Sequence, residues 1–475
     1  LIRFIQPEMP LVWLTRSRLS PYAWIVIFWA VMTLPAIFLV GARPDEGTTL
    51  GFARGAFEGG HWLAPDLYGY RIVDRPALVS WLLGALGLVT GEFDLWVGRL
   101  PAVFALLATA ILIYWFTRRV VGGLGAAFAA GCFLLAPMII QKLVSAESDG
   151  IVSLLLFVAF VLWWIGSAGG GPSFRRWLLV GIVLAVAGLV KGPQPLGFFF
   201  IGVGLYLAVR GKWREFAAMV ATGLMPAVVV GAWYWLVYEP GDLAAWQSQL
   251  HPGTPGLGRY LLDLLDLAGH LVIELMPGLI LAVPLVVDLW RRRIEANREL
   301  VLALVSYGGS CAAIFFFWPG VSTRYAMPAV PAVAVLAGIA YHHFLARLPR
   351  LVLVAQIAAG GLLLYVLVLN WLVMPLFPGA FAFAAGEAEP LTEAILERPA
   401  PVYVVPFAVS RGILYYLPKP HLASVDELAH TKPPFWAILT PADEERLKAM
   451  RPELALSLRL QVPKTRARLV DVLMP

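Results

Sequence analysis

The stretch VGARPDEGTTLGFARGAFEGGHWLAPDLYG (residues 40–69) follows directly on an apolar run, Tyr22 to Val40, that is long enough to cross a bilayer. Two adjacent carboxylates, Asp45 and Glu46, stand behind Pro44, and the residues after them read as a second helix. A helix N-terminus favours negative charge, so the pair can cap the helix that follows. A membrane helix that ends where an acidic helix begins places carboxylates at a membrane boundary.

The whole chain supports that frame. Its 475 residues are 60% hydrophobic and only 14% charged, with a mean hydropathy of +0.78. That is far more apolar than a soluble domain. Apolar stretches of roughly 17 to 25 residues or slightly less predict eleven spans near 22–40, 97–117, 122–140, 148–166, 177–190, 194–209, 215–238, 268–290, 299–318, 326–346 and 350–373. Basic clusters at Arg16/Arg18, Arg118/Arg119, Arg175/Arg176, Arg210/Lys212/Arg214, Arg291/Arg292/Arg293/Arg298 and Arg347/Arg350 fall at alternate ends of these spans. Every cluster is cytoplasmic if the N-terminus is cytoplasmic, and an odd span count then puts the C-terminus outside. Counting the short, glycine-broken segment Pro76 to Val89 as a span would invert this agreement. It is therefore expected to be an interfacial helix in a long first external loop, residues 41–96.

The net charge of +6 is mostly this positive-inside signature. Nucleic-acid binding would need a clustered basic face and is not expected. Cys132 and Cys311 both fall inside predicted spans, where they read as small buried apolar residues rather than a disulfide. The first span has no small-residue cleavage pattern before the carboxylates and is expected to remain as an anchor.

Near Pro378 the composition changes to short apolar runs alternating with charged, helix-like segments. The expected division is a membrane domain, residues 1–377, and a soluble α/β domain, residues 378–475. In the latter, 401–407, 435–441, 454–462 and 467–475 read as strands, and 390–398, 410–417 and 441–450 as helices. The fold class is thus an all-α polytopic membrane domain with a small external α/β domain. Nothing in the latter resembles a catalytic triad or a metal-spaced cluster, so it reads as a binding or scaffolding module.

The polar residues near the external membrane boundaries are Asp45, Glu46, Asp74, Arg75, Lys142, Glu147, Asp149, Lys191, Glu239, Asp242, His251, Arg324 and Tyr325. A transporter would instead place ionisable groups near mid-span. Interfacial chemistry on a lipid-linked substrate is the better match. Asp45 and Glu46 can take a proton from an acceptor or hold a cation beside a phosphate, or they can simply cap the following helix. Arg75, in YRIVDRPALVSW, can grip a phosphate through two parallel hydrogen bonds or anchor at the interface. Lys191 in LVKGPQPLG and Arg324 in WPGVSTRYAMP are external cations against the positive-inside trend, and Asp149 in SAESDGIV begins a span where it can also serve as an N-cap.

The order of these residues resembles the membrane glycosyltransferases of the aminoarabinose transferase and protein mannosyltransferase superfamily, a GT-C fold. The likeness extends over roughly residues 10 to 345 and is strongest in RPDEGTTLGFARGAFEGGHWLAPDLYGYRIVDRPALVSWL (43–82). It implies an inverting transfer of a sugar from a polyprenyl-phosphate carrier to a lipid, glycan or protein at the periplasmic face of a bacterial inner membrane. It further implies that Asp45 is the catalytic carboxylate with Glu46 its acidic neighbour. Asp74-Arg75-Pro76 stand where the family has Glu-Lys-Pro, while Asp149, Lys191 and Arg324 match later external positions and His251 is set against a His of the large loop. The chain departs from the family at Gly47-Thr48-Thr49, where aminoarabinose enzymes carry Arg-Tyr, and at Gly150, where a Pro is usual.

A polyprenyl phosphate leaves as an anion without a general acid. The site then has to supply positive charge at the phosphate, from Arg75, Lys191 and Arg324 with Tyr325, and a base for a hydroxyl acceptor, from Asp45. Asp74 and Asp149 are expected to bind substrate. Glu46, Asp74 and His251 together are a candidate set for Mg, Mn or Zn. The partners implied are a polyprenyl-phosphate-linked sugar, a lipid or glycan acceptor such as lipid A, and membrane lipids. The competing readings are a protein O-glycosyltransferase using the same donor class, a glycolipid flippase, and a non-catalytic envelope scaffold.

Overall fold

The computed structural model describes residues 19–91, 93–167, 171–240, 242, 256–313, 322–462 and 465–474. They form two compact units: one runs up to Leu34 and includes Ala102–Val144 and Ser148–Asn370, and the other comprises Pro35–Pro101, Ser145–Glu147 and Trp371–Pro475. The loop after the first helix therefore belongs to the same unit as the C-terminal residues.

The first unit is helical. Over the described residues, the expected apolar stretches fall mainly on helices. Among the described residues, five helices are long and apolar enough to cross a membrane: Pro21–Leu39, Leu95–Val121, Asp149–Ser167, Trp213–Val237 and Pro349–Leu376. The stretch expected as one span at 268–290 is instead a broken pair, Leu257–Glu274 and Gly278–Trp290, bent by 105°. Shorter apolar helices include Gly123–Leu134, Leu196–Val209 and Ala329–Phe344. The last of these is buried on nearly every side. It packs on Gly123–Leu134 through small residues, since a Cβ at Gly338 would meet the carbonyl of Gly125 and the side chain of Ala129. Trp163, Tyr206, Phe160 and Tyr307 fill the bundle interior with edge-on and tilted ring contacts. Cys132 and Cys311 are buried and free, as expected.

The second unit contains the acidic helix Pro44–Phe57, a small hairpin of β1 (Asp66–Leu67) and β2 (Tyr70–Arg71), and the helix Leu78–Thr90 in place of the expected interfacial segment. The hairpin turn puts Tyr68 and Gly69 at positive φ, and the Gly69 amide donates to Asp66 Oδ1 at 2.8 Å. The C-terminal residues add helix Ala384–Leu396 and a five-stranded sheet in the order β4-β3-β5-β7-β6, with β3 Val402–Val404, β4 Pro420–Leu422, β5 Phe435–Leu439, β6 Ala455–Gln461 and β7 Arg468–Leu473. β4, β3 and β5 run parallel, and β5, β7 and β6 antiparallel. The four expected strands and three expected helices are present. β4 and helix Val425–His430 were not anticipated, because three residues of strand carry too short a pattern to register. β5 is wholly buried, as a strand covered on both faces must be.

Candidate functional site

The second carboxylate of the acidic pair, Glu46, is held from several sides. Pro44 opens the helix, and Glu46, at its third position, reaches back to accept from the Arg43 amide at 2.9 Å. Glu46 also accepts from Arg99 Nε at 2.9 Å, from Arg99 Nη2 at 2.9 Å and from the Ala146 amide at 2.7 Å. A carboxylate has about four acceptor sites, and all of these are occupied. Arg99 is equally committed. Its Nη1 donates to the carbonyls of Ile37 (3.0 Å) and Val40 (2.8 Å) and its Nη2 to that of Gly41 (3.0 Å), so its five N–H groups are satisfied. Both side chains are 0% exposed. The pair therefore binds the end of the first helix, the start of the acidic helix and the segment Ser145–Glu147 into one knot. Asp45, its neighbour, is exposed.

The surroundings of this knot are built from the first loop and the C-terminal residues. Gly47 lies against the backbone of Arg411 so closely that a Cβ would overlap its carbonyl. The Arg411 side chain donates through Nη1 to Thr48 Oγ1 at 3.0 Å and lies over the Phe407 ring. Phe407 is 87% exposed. Because Asp45 and Thr48 are three residues apart on one helix, Arg411 stands about one helical turn from Asp45. Burial draws the Arg43 guanidinium below the usual arginine range, with Glu46 opposing the shift. Arg75 forms a two-point pair with its neighbour Asp74, Nε to Oδ1 at 3.0 Å and Nη2 to Oδ2 at 2.8 Å. Ser145 donates to the buried Glu147 at 2.6 Å.

The other expected residues fall in the helical unit. Asp149 opens its helix and pairs with Lys191. The Lys191 ammonium lies 4.2 Å from the Tyr325 ring centre, and the Arg324 guanidinium lies 5.3 Å from the same ring. Arg324 and Lys142 add to the positive potential at Asp149. Two cations at one aromatic ring, with a third near and Asp149 as their carboxylate, leave an excess of positive charge suited to an anion. Glu239 and Asp242 form a local turn, the Glu239 amide donating to Asp242 Oδ2 at 2.9 Å.

His251 lies outside the described residues. The candidate metal set does not fit at Glu46, whose acceptor sites are taken by Arg99 and two backbone amides. Among the described residues, no group of three His, Cys, Asp or Glu side chains is placed to hold a metal. Three residues of interest escaped the sequence reading. Arg99 was passed over as part of an apolar span, although an arginine inside such a span requires a partner. Glu274 was hidden in the same way, and Arg411 is one of many arginines in a domain without motifs.

The fold is similar to those of two solved proteins. ArnT from Cupriavidus metallidurans, in a structure bound to undecaprenyl phosphate, matches with a TM-score of 0.72 at 17% identity over 95% of this chain and 98% of that one. The Archaeoglobus fulgidus oligosaccharyltransferase, solved with Zn and sulfate, matches with a TM-score of 0.52 at 12% identity over 85% of this chain and 62% of that one. The model of the dolichyl-phosphate-mannose-protein mannosyltransferase family matches residues 74–235. An undecaprenyl phosphate-α-4-amino-4-deoxy-L-arabinose arabinosyl transferase of Edwardsiella ictaluri is 23% identical over 211 residues, 43% of this chain. That match spans 37% of the relative's own length.

Proposed function

We propose that this chain is an inverting glycosyltransferase that moves a sugar from a polyprenyl phosphate to a lipid acceptor, such as lipid A, at the periplasmic face of a bacterial inner membrane. In this reading the N-terminus is cytoplasmic and the C-terminal domain periplasmic. The observation that carries the proposal is the division of labour in the acidic pair: Glu46 is wholly consumed by Arg99 and backbone amides, while Asp45 is held beside it on a fixed helix start and is exposed. A carboxylate so positioned is suited to accept a proton. The acceptor oxygen attacks the anomeric carbon as Asp45 takes its proton. The bond to the phosphate breaks with its electron pair, leaving polyprenyl phosphate, whose charge Lys191 and Arg324 receive beside Tyr325. The likeness to arabinosyl transferases that use undecaprenyl phosphate supports the donor class. The family model, described for protein mannosyltransferases, favours a protein acceptor as the second reading.

Mass spectra of envelope glycolipids test this directly, from cells with the intact chain, without it, and with Asp45→Asn at matched membrane levels. A sugar-sized mass lost in both defective strains is the expected result, and its size names the sugar class. Full turnover by a folded Asp45→Asn protein would remove Asp45 as the base. Three identical spectra would rule against a lipid acceptor and move the protein acceptor to the front.

A further inference from the structure

The broken helix pair carries a carboxylate that the transfer reaction as described does not use. Glu274 is the last residue of helix Leu257–Glu274, at the 105° bend before Gly278–Trp290. It is 8% exposed. Its Oε1 accepts from Thr323 Oγ1 at 2.9 Å, and its Oε2 has no hydrogen-bond partner among the described residues. Thr323 opens the short 3-10 turn Thr323–Ala326 that also holds Arg324 and Tyr325. The helix leading to the bend is amphipathic and leaves Leu257, Leu261, Leu262, Leu265 and Ile273 exposed, which suits a helix lying in the membrane interface.

A buried carboxylate oxygen without a donor is costly, and a carboxylate at a break in an apolar helix is expected to serve a ligand. Arg324 follows Thr323 in the chain, so a phosphate received by Arg324 and Lys191 has its attached sugar within reach of the 323–326 turn. A carboxylate there accepts hydrogen bonds and repels phosphate, so its partner is the sugar and not the carrier. We propose that Glu274 is a donor-sugar-binding residue whose Oε2 takes a hydroxyl or amino hydrogen of the sugar carried on the polyprenyl phosphate. This rests on the reading above that Arg324 and Lys191 hold the donor phosphate.

The test is binding of three lipids to the purified full chain in detergent: undecaprenyl phosphate, the same lipid bearing mannose, and the same lipid bearing 4-amino-4-deoxyarabinose. The intact chain should bind at least one sugar-bearing lipid more tightly than the bare one. Glu274→Gln, which keeps the shape and the Thr323 contact, should lose that increment by about tenfold or more and leave the bare lipid unchanged. A loss confined to the amino sugar assigns the contact to its amine, and a loss for both assigns it to a hydroxyl. If Glu274→Gln binds all three lipids as the intact chain does, or weakens the bare lipid equally, the proposal is overturned. If the intact chain does not bind undecaprenyl phosphate at all, the donor reading itself fails, and this assignment with it. Should Glu274→Gln fail to fold, Glu274→Asp, which withdraws the charge by one methylene, serves the same comparison.

Discussion

At the scale of single residues, Glu46 of the acidic pair is committed to the buried Arg99 and two backbone amides, and Asp45 beside it is exposed. Removing one partner of a buried ion pair leaves the other charge unsolvated, at a cost of about 3–5 kcal/mol. Arg99→Met is therefore expected to lower the melting temperature of the purified chain sharply, since it strands Glu46 and frees three backbone carbonyls. Replacing both partners, Glu46→Met with Arg99→Met, should recover only part of the loss, because those carbonyls remain without donors. Full recovery in a thermal melt would mean that the ion pair alone matters. The acidic pair was legible in the sequence. Its partner was not: Arg99 lies 53 positions away, and sequence spacing carries no information about contacts between elements.

At the scale of elements, helix Pro44–Phe57 seats helix Arg411–Tyr416 on a glycine. A side chain at position 47 would overlap the Arg411 carbonyl, and the Thr48 hydroxyl receives the Arg411 guanidinium. Gly47→Ala should separate the two helices and destabilise this unit by about 1–3 kcal/mol, as overpacking usually does. Limited proteolysis would register the change as faster cleavage after residue 400. Unchanged protection would mean that the helices close without this contact. The helices themselves followed from composition, and the start of Pro44–Phe57 from its acidic first turn. The bend at Glu274 did not, because an apolar run reads the same whether it is straight or broken.

At the scale of the whole chain, the first loop and the C-terminal residues form one unit, and this has a consequence at alkaline pH. Tyr415 donates its phenolic hydrogen to the Phe93 carbonyl at 3.2 Å, and burial pushes its pKa up to about 12. Tyr68 and Tyr416 are raised in the same direction by burial. An unfolded tyrosine ionises near pH 10, so between about pH 10 and about 12 the unfolded state releases protons that the folded state keeps. Stability must fall as pH rises through that window, and is fully present below it. Tyr415 alone accounts for a loss on the order of 2–3 kcal/mol at about 1.4 kcal/mol per unit. Melting curves at pH 9, 10 and 11 should show a smaller alkaline loss for Tyr415→Phe than for the intact chain. Parallel loss in both would place the effect elsewhere.

The sequence by itself determined that this is a helical membrane protein with a small α/β domain, because hydropathy and charge are properties of the chain read locally; Asp45, Glu46, Asp74, Arg75, Asp149, Lys191, His251, Arg324 and Tyr325 it put forward as candidates. Tertiary structure alone decided that Glu46 is spent on Arg99, that Lys191 reaches the Tyr325 ring, and that Glu274 stands at a bend beside Thr323. Each of these is a meeting of residues far apart in sequence, and a charge acquires its role from the donors and acceptors that folding brings within about 3 Å of it.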